Sequence, residues 1–292
     1  MAKINQLLVI TSLIVLASSQ CPADDLKFDP ASKFELKFRP SPGQQKTIPF
    51  QMRAGYPFID VDINGLTHNL LFDMTDYRQI TLASSVLAET PHRILGTEKY
   101  SGADEKVFFL KRFVLEKVGL GQLIKTDVNG TEEAIDPDYP TPSPSGAIGA
   151  GMFFDDVLTL DFKNSRLLVD PNGKLDQCEP LAALGLPLVA LVTIGGNKLT
   201  FFLDIAYQYS IIDADFVEAE RQKLPPDKIQ SGFYDIAEMK FGHFTLENLR
   251  FIPLPMADSG IHGVIGMDVF RRYNLAIDFN NNCFSIPQAK TN

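Results

Sequence analysis

The stretch Asn69-Leu-Leu-Phe-Asp73-Met-Thr-Asp76 recurs in outline as Thr200-Phe-Phe-Leu-Asp204-Ile-Ala-Tyr207, at an offset of 204 − 73, or 131 residues. In each copy a run of large apolar residues ends in one aspartate. A buried apolar strand rarely ends in an acid, because removing an ionised carboxylate from water is costly unless hydrogen bonds or a partner compensate. The two aspartates therefore predict one shared site.

The similarity continues on both sides of these stretches, in the same order. Phe58-Ile-Asp-Val-Asp-Ile63-Asn-Gly65 precedes the first copy as Val189-Ala-Leu-Val-Thr-Ile194-Gly-Gly196 precedes the second. Further on, Gly146-Ala-Ile148-Gly149 matches Gly263-Val-Ile265-Gly266, at an offset of 263 − 146, or 117 residues. Matching blocks in one order indicate an internal duplication.

Short apolar runs and frequent turn signals indicate the fold class. Turn signals such as Asn64-Gly65 and Asp170-Pro-Asn-Gly173 separate the runs, which favours an all-β fold over alternating strands and helices. With 292 residues, the chain is long enough for two domains with separate cores. The duplication predicts an N-terminal lobe at 24–170, a linker at 171–187 and a C-terminal lobe at 188–292.

The first 23 residues are predicted to be a signal peptide. Lys3 precedes an apolar segment, Leu7 to Ala17, that is too short to span a bilayer and is followed by small residues. A buried N-terminal helix is disfavoured, because caps and an amphipathic period are missing. The protein is therefore expected to be exported, either periplasmic or secreted. Lipidation of Cys21, which would anchor the protein to a membrane, stays open as an alternative.

Charge and residue spacing exclude several classes of function. A formal charge of −9, with no cluster of Lys and Arg, argues against nucleic acid as a partner. No Cys/His array has metal-ligand spacing, and no metal or cofactor is predicted. The four histidines lack the spacing of a serine hydrolase. Signal cleavage would leave Cys178 and Cys283, which are either disulfide-bonded or free, because spacing alone fixes no connectivity.

Each half resembles a lobe of the aspartic proteases, the retropepsin-like and pepsin-like superfamily. In that family an apolar strand leads into Asp-Thr/Ser-Gly, and an apolar pair followed by Gly, from a later strand, crosses beneath it. Asp73 and Asp204 occupy the acid positions, and Ile148-Gly149 and Ile265-Gly266 the later ones. The layout is similar to exported bacterial proteins with two such lobes in one chain. The resemblance implies two β-barrel lobes with an active-site cleft between them.

The resemblance also implies an activity, that of an aspartic endopeptidase acting as a monomer on extended peptide or protein. Two carboxylates about 3 Å apart cannot both ionise, so they share one proton. One activates water as a general base while the other polarises the scissile carbonyl. These catalytic roles would fall to Asp73 and Asp204. Substrate contacts would come from Thr75, Ala206, Tyr100 and Gly102, the last two from a flexible tip at 96–103 that resembles the family's flap.

The sequence departs from the family pattern in both loops. Met74 and Ile205 replace a hydroxyl that braces the loops against each other, and Thr75 and Ala206 replace glycine. Small displacements of a catalytic group are costly in rate. Two alternatives to an active protease therefore stay open. One is an aspartic-protease-like protein that binds peptide with impaired catalysis, and the other is a structural envelope protein that uses the lobes only as a scaffold.

Other aspartates have simpler interpretations. A structural alternative also stays open for Asp73 and Asp204. Aspartates at strand ends often accept hydrogen bonds from the backbone of a turn, and these two would then have no catalytic role. Asp258-Ser-Gly260 spells the family tripeptide but follows Pro255-Met-Ala rather than an apolar strand, so we interpret it as a loop turn. Asp161 and Asp278, each followed by Phe-x-Asn, are predicted to lie in solvated turns.

Overall fold

A computed structural model describes residues 44–101, 107–133, 145–182, 188–221, 232–256 and 260–286. The described residues form nineteen strands and three short α-helices. Within these ranges, no helix is both long and apolar enough to cross a membrane.

The first half of the chain contains ten strands. They are β1 (Lys46–Arg53), β2 (Tyr56–Ile63), β3 (Leu66–Asp73), β4 (Ile80–Leu82), β5 (Arg93–Ser101), β6 (Val107–Leu120), β7 (Leu123–Glu132), β8 (Gly146–Gly149), β9 (Asp156–Asp161) and β10 (Arg166–Pro171). Helix α1 (Ser84–Glu89) follows β4, and 3-10 turns follow β8 and β9 at Ala150–Phe153 and Phe162–Asn164.

The second half repeats the plan with shorter connections. Its strands are β11 (Glu179–Pro180), β12 (Val189–Ile194), β13 (Asn197–Leu203), β14 (Ile211–Asp213), β15 (Tyr234–Phe241), β16 (Phe244–Leu254), β17 (Gly263–Ile265), β18 (Leu275–Asp278) and β19 (Cys283–Ser285). Helix α2 (Ala214–Arg221) follows β14, and α3 (Met267–Phe270) follows β17.

Each half closes a six-stranded barrel, and the two barrels have the same strand order. The first barrel runs β2-β3-β8-β4-β7-β6 and closes by pairing of β6 with β2. The second runs β12-β13-β17-β14-β16-β15. Equivalent strands therefore occupy equivalent places, as the duplication predicted. The all-β fold with two barrels is confirmed.

Turn chemistry sets the register of both barrels. Asn64 and Gly65 have φ of 52° and 89°, and Gly195 and Gly196 have φ of 57° and 89°. Positive φ at both central residues is the two-residue hairpin turn that matches the twist of paired strands. Because of these turns, Asn64-Gly65 joins β2 to β3 and Gly195-Gly196 joins β12 to β13 in equivalent registers.

A second sheet combines strands from both halves of the chain. It has the order β11-β19-β18-β9-β10-β1. Its central pair is antiparallel, with Leu160 of β9 opposite Leu275 of β18. One hydrophobic cluster of buried residues extends through both halves. The halves are therefore packed as one body rather than joined only by a linker.

The structure decides the cysteine alternatives in favour of a disulfide. Cys178 and Cys283 are bonded, with Cα atoms 5.7 Å apart. Cys178 lies just before β11, which pairs with β19, the strand that begins at Cys283. The disulfide therefore ties the segment between the barrels to the last strand.

Two local predictions are wrong. Asp161 and Asp278 are the last residues of β9 and β18 rather than members of solvated turns, and both are buried, with exposed fractions of 2% and 0%. Their carboxylates accept hydrogen bonds from the backbone and side-chain amides of Asn164 and Asn281, respectively, which compensate the burial. The predicted flexible tip at 96–103 is instead part of strand β5 as far as Ser101, and the remainder of that tip lies outside the described residues.

Candidate active site

Asp73 is the last residue of β3 and begins one of two equivalent loops. Its Oδ1 accepts two hydrogen bonds from Thr75, one from the backbone amide at 2.8 Å and one from the hydroxyl at 2.6 Å. Burial raises the pKa of Asp73, and both Thr75 hydrogen bonds oppose that rise. The charge of Asp76 raises the pKa further, while the Arg78 guanidinium lowers it.

Asp204 follows β13 and begins the equivalent loop. Its Oδ1 accepts one hydrogen bond, from the backbone amide of Ala206 at 2.8 Å. Burial raises the pKa of Asp204 to about 7; the Ala206 hydrogen bond opposes this rise and the charge of Asp73 adds to it. The amide donor lies two residues after the acid in both loops, so the two sites share one local geometry.

Asp73 and Asp204 interact electrostatically. The charge of Asp73 raises the pKa of Asp204, so the two carboxylates lie within range of direct electrostatic repulsion. They come from equivalent strands of the two barrels, β3 and β13. Their surroundings differ, because Asp73 has a hydroxyl donor and a nearby guanidinium in addition to the backbone donor.

A glycine supports each loop from a neighbouring strand. Gly149 ends β8 and pairs in register with Asp73, while the amide of Asp204 donates to the carbonyl of Ile265, beside Gly266, at 3.0 Å. A Cβ on Gly149 would lie 2.6 Å from the Asp76 carbonyl oxygen, and one on Gly266 would lie 2.8 Å from the Tyr207 carbonyl oxygen. These glycines therefore let the loops pass close to a second strand.

The two loops are supported by different polar groups. In the first loop, Arg78 Nε donates to Asp76 Oδ1 at 2.8 Å. In the second, Ser210 donates to Asp268 at 2.7 Å and accepts from the amide of Gly266 at 2.9 Å. Ser210 therefore links the Asp204 loop to β17 and α3.

The departures from the family pattern leave the backbone unstrained. Met74 and Ile205 are buried in the core, with exposed fractions of 0% and 2%, so apolar packing holds these positions. Neither Thr75 nor Ala206 is among the described residues with positive φ. Because neither residue has the positive φ that favours glycine, the backbone of both loops accepts these side chains without strain. Thr75 also adds the hydroxyl bond to Asp73.

Two tyrosines near Asp204 were missed from the sequence. Burial raises the pKa of both Tyr56 and Tyr207, and the charge of Asp204 raises it further in each case. Tyr207 lies in the repeated stretch, so its nearness to the acid could have been inferred. Tyr56 begins β2 of the other barrel, and no sequence signal connected it with Asp204.

The other predicted contacts are only partly described. Thr75 and Ala206 lie against the carboxylates, as their hydrogen bonds show. The backbone of Tyr100 is in β5, paired with Phe108 of β6, but its side chain and all of Gly102 lie outside the described residues, as does Asp258. Within the described ranges, no group of three or more His, Cys, Asp or Glu is arranged to hold a metal ion.

Comparison with known proteins gives a match in structure only. Neither models of protein families nor curated proteins yield a significant sequence match. Among solved structures, the crystal structure of an aspartic proteinase from Irpex lacteus is similar, with a TM-score of 0.56 and 12% sequence identity. The match covers 85% of this chain and 98% of that chain. At this identity the similarity shows the fold, which is the two-barrel, all-β fold of a pepsin-like aspartic proteinase.

Proposed function

We propose that this protein is an aspartic endopeptidase that hydrolyses peptide bonds in extended polypeptide. The observation that carries the proposal is the electrostatic coupling of Asp73 and Asp204, which raises the pKa of Asp204 beyond the effect of burial. Activation of a shared water requires two neighbouring acids that together retain one proton near neutral pH. Asp73 and Asp204, in equivalent loops of the two barrels, are suited to this role.

The unequal surroundings of the two acids assign their roles. Asp73 holds negative charge more readily, because Thr75 donates two hydrogen bonds to it and Arg78 lies nearby. Asp204, with one backbone donor, keeps its proton up to about pH 7. Asp73 is therefore the general base that takes a proton from water, and Asp204 donates a hydrogen bond to the scissile carbonyl.

Collapse of the tetrahedral intermediate then breaks the C–N bond. The proton that Asp73 accepted from water is delivered to the leaving amine, and Asp204 regains the proton that it shared with the former carbonyl oxygen. The pair as a whole titrates, so a pH profile reports the pair rather than either residue alone. Activity is expected at acidic to neutral pH and to fall above about pH 7, where Asp204 ionises.

The remaining features of the proposal concern location and substrate. The Cys178–Cys283 disulfide supports an exported, periplasmic or secreted protein, since structural disulfides are typical of oxidising compartments. Membrane attachment would require lipidation of Cys21. The substrate is a peptide or protein bound in extended form, and the protein acts as a monomer.

A second candidate is a protein that binds peptide without cleaving it. The observation that favours it is the apolar pair Met74 and Ile205, which replaces a hydrogen-bonded brace between the loops with packing alone. The unstrained Thr75 and its short hydroxyl bond to Asp73 favour the enzyme instead.

Incubation of the purified protein with a peptide library at pH 4 to 7 distinguishes the two candidates. We expect cleavage by the wild type and its loss, by at least about a thousandfold, in both Asp73→Asn and Asp204→Asn. Asp60→Asn, at an exposed position of β2, is the matched control and should cleave normally. Peptide binding without cleavage by the wild type would favour the second candidate, and cleavage that survives both active-site changes would refute the two-acid mechanism.

A further inference from the structure

Gln208 of the second barrel lies over a tight turn of the first. The turn Ala54-Gly55 joins β1 to β2, with φ of 48° and 90°. The atoms nearest to the position that a Cβ of Gly55 would occupy are Nε2, Cδ and Oε1 of the Gln208 side chain. The amide of Gln208 therefore fills the space that the missing side chain of Gly55 leaves.

This contact crosses between the halves of the molecule beside the candidate catalytic pair. Gln208 is four residues after Asp204 in the same loop, and Gly55 directly precedes Tyr56. Tyr56 and Tyr207 flank the contact in the two chain segments, and the charge of Asp204 acts on both phenols. The turn at Gly55 and the loop of Asp204 therefore pack together where the reaction would take place.

Packing rather than hydrogen bonding holds the Gln208 amide. Its Nε2 is buried and has no hydrogen-bond partner among the described residues. Burying an amide donor without a hydrogen-bond partner costs free energy. If the Gln208 side chain were not confined, it would therefore turn its amide toward solvent. The space above Gly55 and the surrounding side chains therefore determine where this amide lies.

We propose that Gln208 is a positioning residue for Asp204, seated on the Gly55 turn so that the catalytic loop of the second barrel is fixed against the first. This inference rests on the proposed function, and it supplies an inter-barrel contact where Met74 and Ile205 lack the hydroxyls of the family's brace. The contact requires glycine at position 55, since any side chain there would displace the amide.

The chain offers a matched pair of glycines for the test. Gly55 and Gly65 both occupy the second position of a two-residue hairpin turn, with φ of 90° and 89°, but a Cβ on Gly65 meets nothing within 4 Å. Alanine imposes the same backbone strain at both sites. Only Gly55→Ala displaces Gln208, whose flexible side chain can move without unfolding the barrel.

We expect Gly55→Ala to lower kcat by at least about tenfold with little change in KM, while Gly65→Ala stays within about threefold of wild type. Gln208→Ala should lower kcat similarly. In the Gln208→Ala background, Gly55→Ala should lower kcat no further than Gly65→Ala does in the wild type, because the side-chain amide that it would displace has been removed. Equal effects of the two glycine substitutions, or additive effects of Gly55→Ala and Gln208→Ala, would overturn the proposal.

A second measurement does not depend on activity. NMR titration of the carboxyl carbons in the full chain reports the pKa of Asp204. In Gln208→Ala and Gly55→Ala this pKa should fall by about one pH unit, because water reaches the carboxyl group. In Gly65→Ala it should stay unchanged. A wild type that cleaves nothing would refute the proposed function, but this titration would still test the positioning role. If Gly55→Ala does not fold, the Gln208→Ala variant alone provides the test. An Asp204 pKa in that variant equal to the wild-type value would reject the inference.

Discussion

Thr75 is joined to Asp73 by two hydrogen bonds to the same oxygen, from its amide at 2.8 Å and from its hydroxyl at 2.6 Å. In the second loop, Ala206 can donate only its amide, at 2.8 Å, to Asp204. Both aspartates of the duplicated sequence thus accept a hydrogen bond from a backbone amide, but only Asp73 also accepts one from a hydroxyl. Because hydrogen bonds to a carboxylate favour its charged form, this difference makes the pair chemically unequal.

Removal of the Thr75 hydroxyl should raise the pKa of Asp73. Thr75→Val keeps the shape and the backbone donor but loses the 2.6 Å bond, so the ionised form of Asp73 is less stable. We expect the acid limb of the pH profile of kcat/KM to move up by about one pH unit. Thr75→Ser, which keeps a hydroxyl, is the control. An acid limb that is the same in the Val and Ser variants would show that the hydroxyl does not stabilise the charge of Asp73.

The raised pKa of Asp204 should make stability depend on pH. The pKa of an aspartate in the unfolded chain is about 4, whereas burial raises the pKa of folded Asp204 to about 7. Between these values the folded state binds more protons, so stability falls as pH rises through this window, by at most about 1.4 kcal/mol per unit. Asp204→Asn removes this titration. We therefore expect the variant to gain stability relative to wild type from pH 4 to 7, measured by urea unfolding.

The control for this pH dependence is Asp60→Asn, at an exposed site. The change that it makes to the free energy of unfolding over the same pH range is the baseline for an aspartate outside the site. If the difference between Asp204→Asn and wild type depends on pH no more than this baseline does, Asp204 has no raised pKa, and its proposed role as the protonated partner is excluded.

Alanine at Gly149 should damage the fold and the site through lack of space. Gly149 has φ of −91° and Gly266 has φ of −100°, so the backbone accepts alanine at both. A Cβ on Gly149 would meet backbone oxygens of Asp76 and Arg78, the former at 2.6 Å, whereas the nearest atoms to one on Gly266 are at 2.8 Å. We expect Gly149→Ala to lose about 2 to 4 kcal/mol of stability and Gly266→Ala less, measured by thermal unfolding.

Gly119→Ala is the control for this prediction, because its Cβ would meet only the Asp62 Cβ at 3.3 Å and the Asp62 carbonyl oxygen at 3.8 Å. It should change stability by less than about 1 kcal/mol. A Gly149→Ala variant as stable as Gly119→Ala would show that the Asp73 loop is not confined by β8.

Opening of the Cys178–Cys283 disulfide should destabilise the folded protein. The bond joins residues separated by 105 positions, so it removes much of the entropy of the unfolded chain. Cys283→Ser should cost about 2 to 5 kcal/mol of unfolding free energy. Reductant should destabilise the wild type by a similar amount and leave Cys283→Ser unchanged. A wild type insensitive to reductant under unfolding conditions would contradict the pairing.

The sequence predicted the fold because its decisive signals are local. Apolar strands that end in Asp73 and Asp204, and the later Ile148-Gly149 and Ile265-Gly266, repeat in one order, so two copies of one β architecture followed without knowledge of any contact. Turn glycines such as Gly65 gave the hairpin registers for the same reason. At Asp161 and Asp278 the local pattern did not predict the burial, which depends on neighbouring strands.

By itself, the sequence determined that there are two matching barrels and which acid each contributes, because hydrophobic period and turn chemistry act between near neighbours in the chain. Only the tertiary structure decided that Cys178 pairs with Cys283, that Tyr56 lies near Asp204, and that Gln208 rests on Gly55. These relationships join residues more than a hundred positions apart, and no periodic pattern encodes them. The two contacts with the Asp204 loop exist because the halves of the chain pack against each other, and the disulfide exists because β11 pairs with the last strand, so all three arise only after folding.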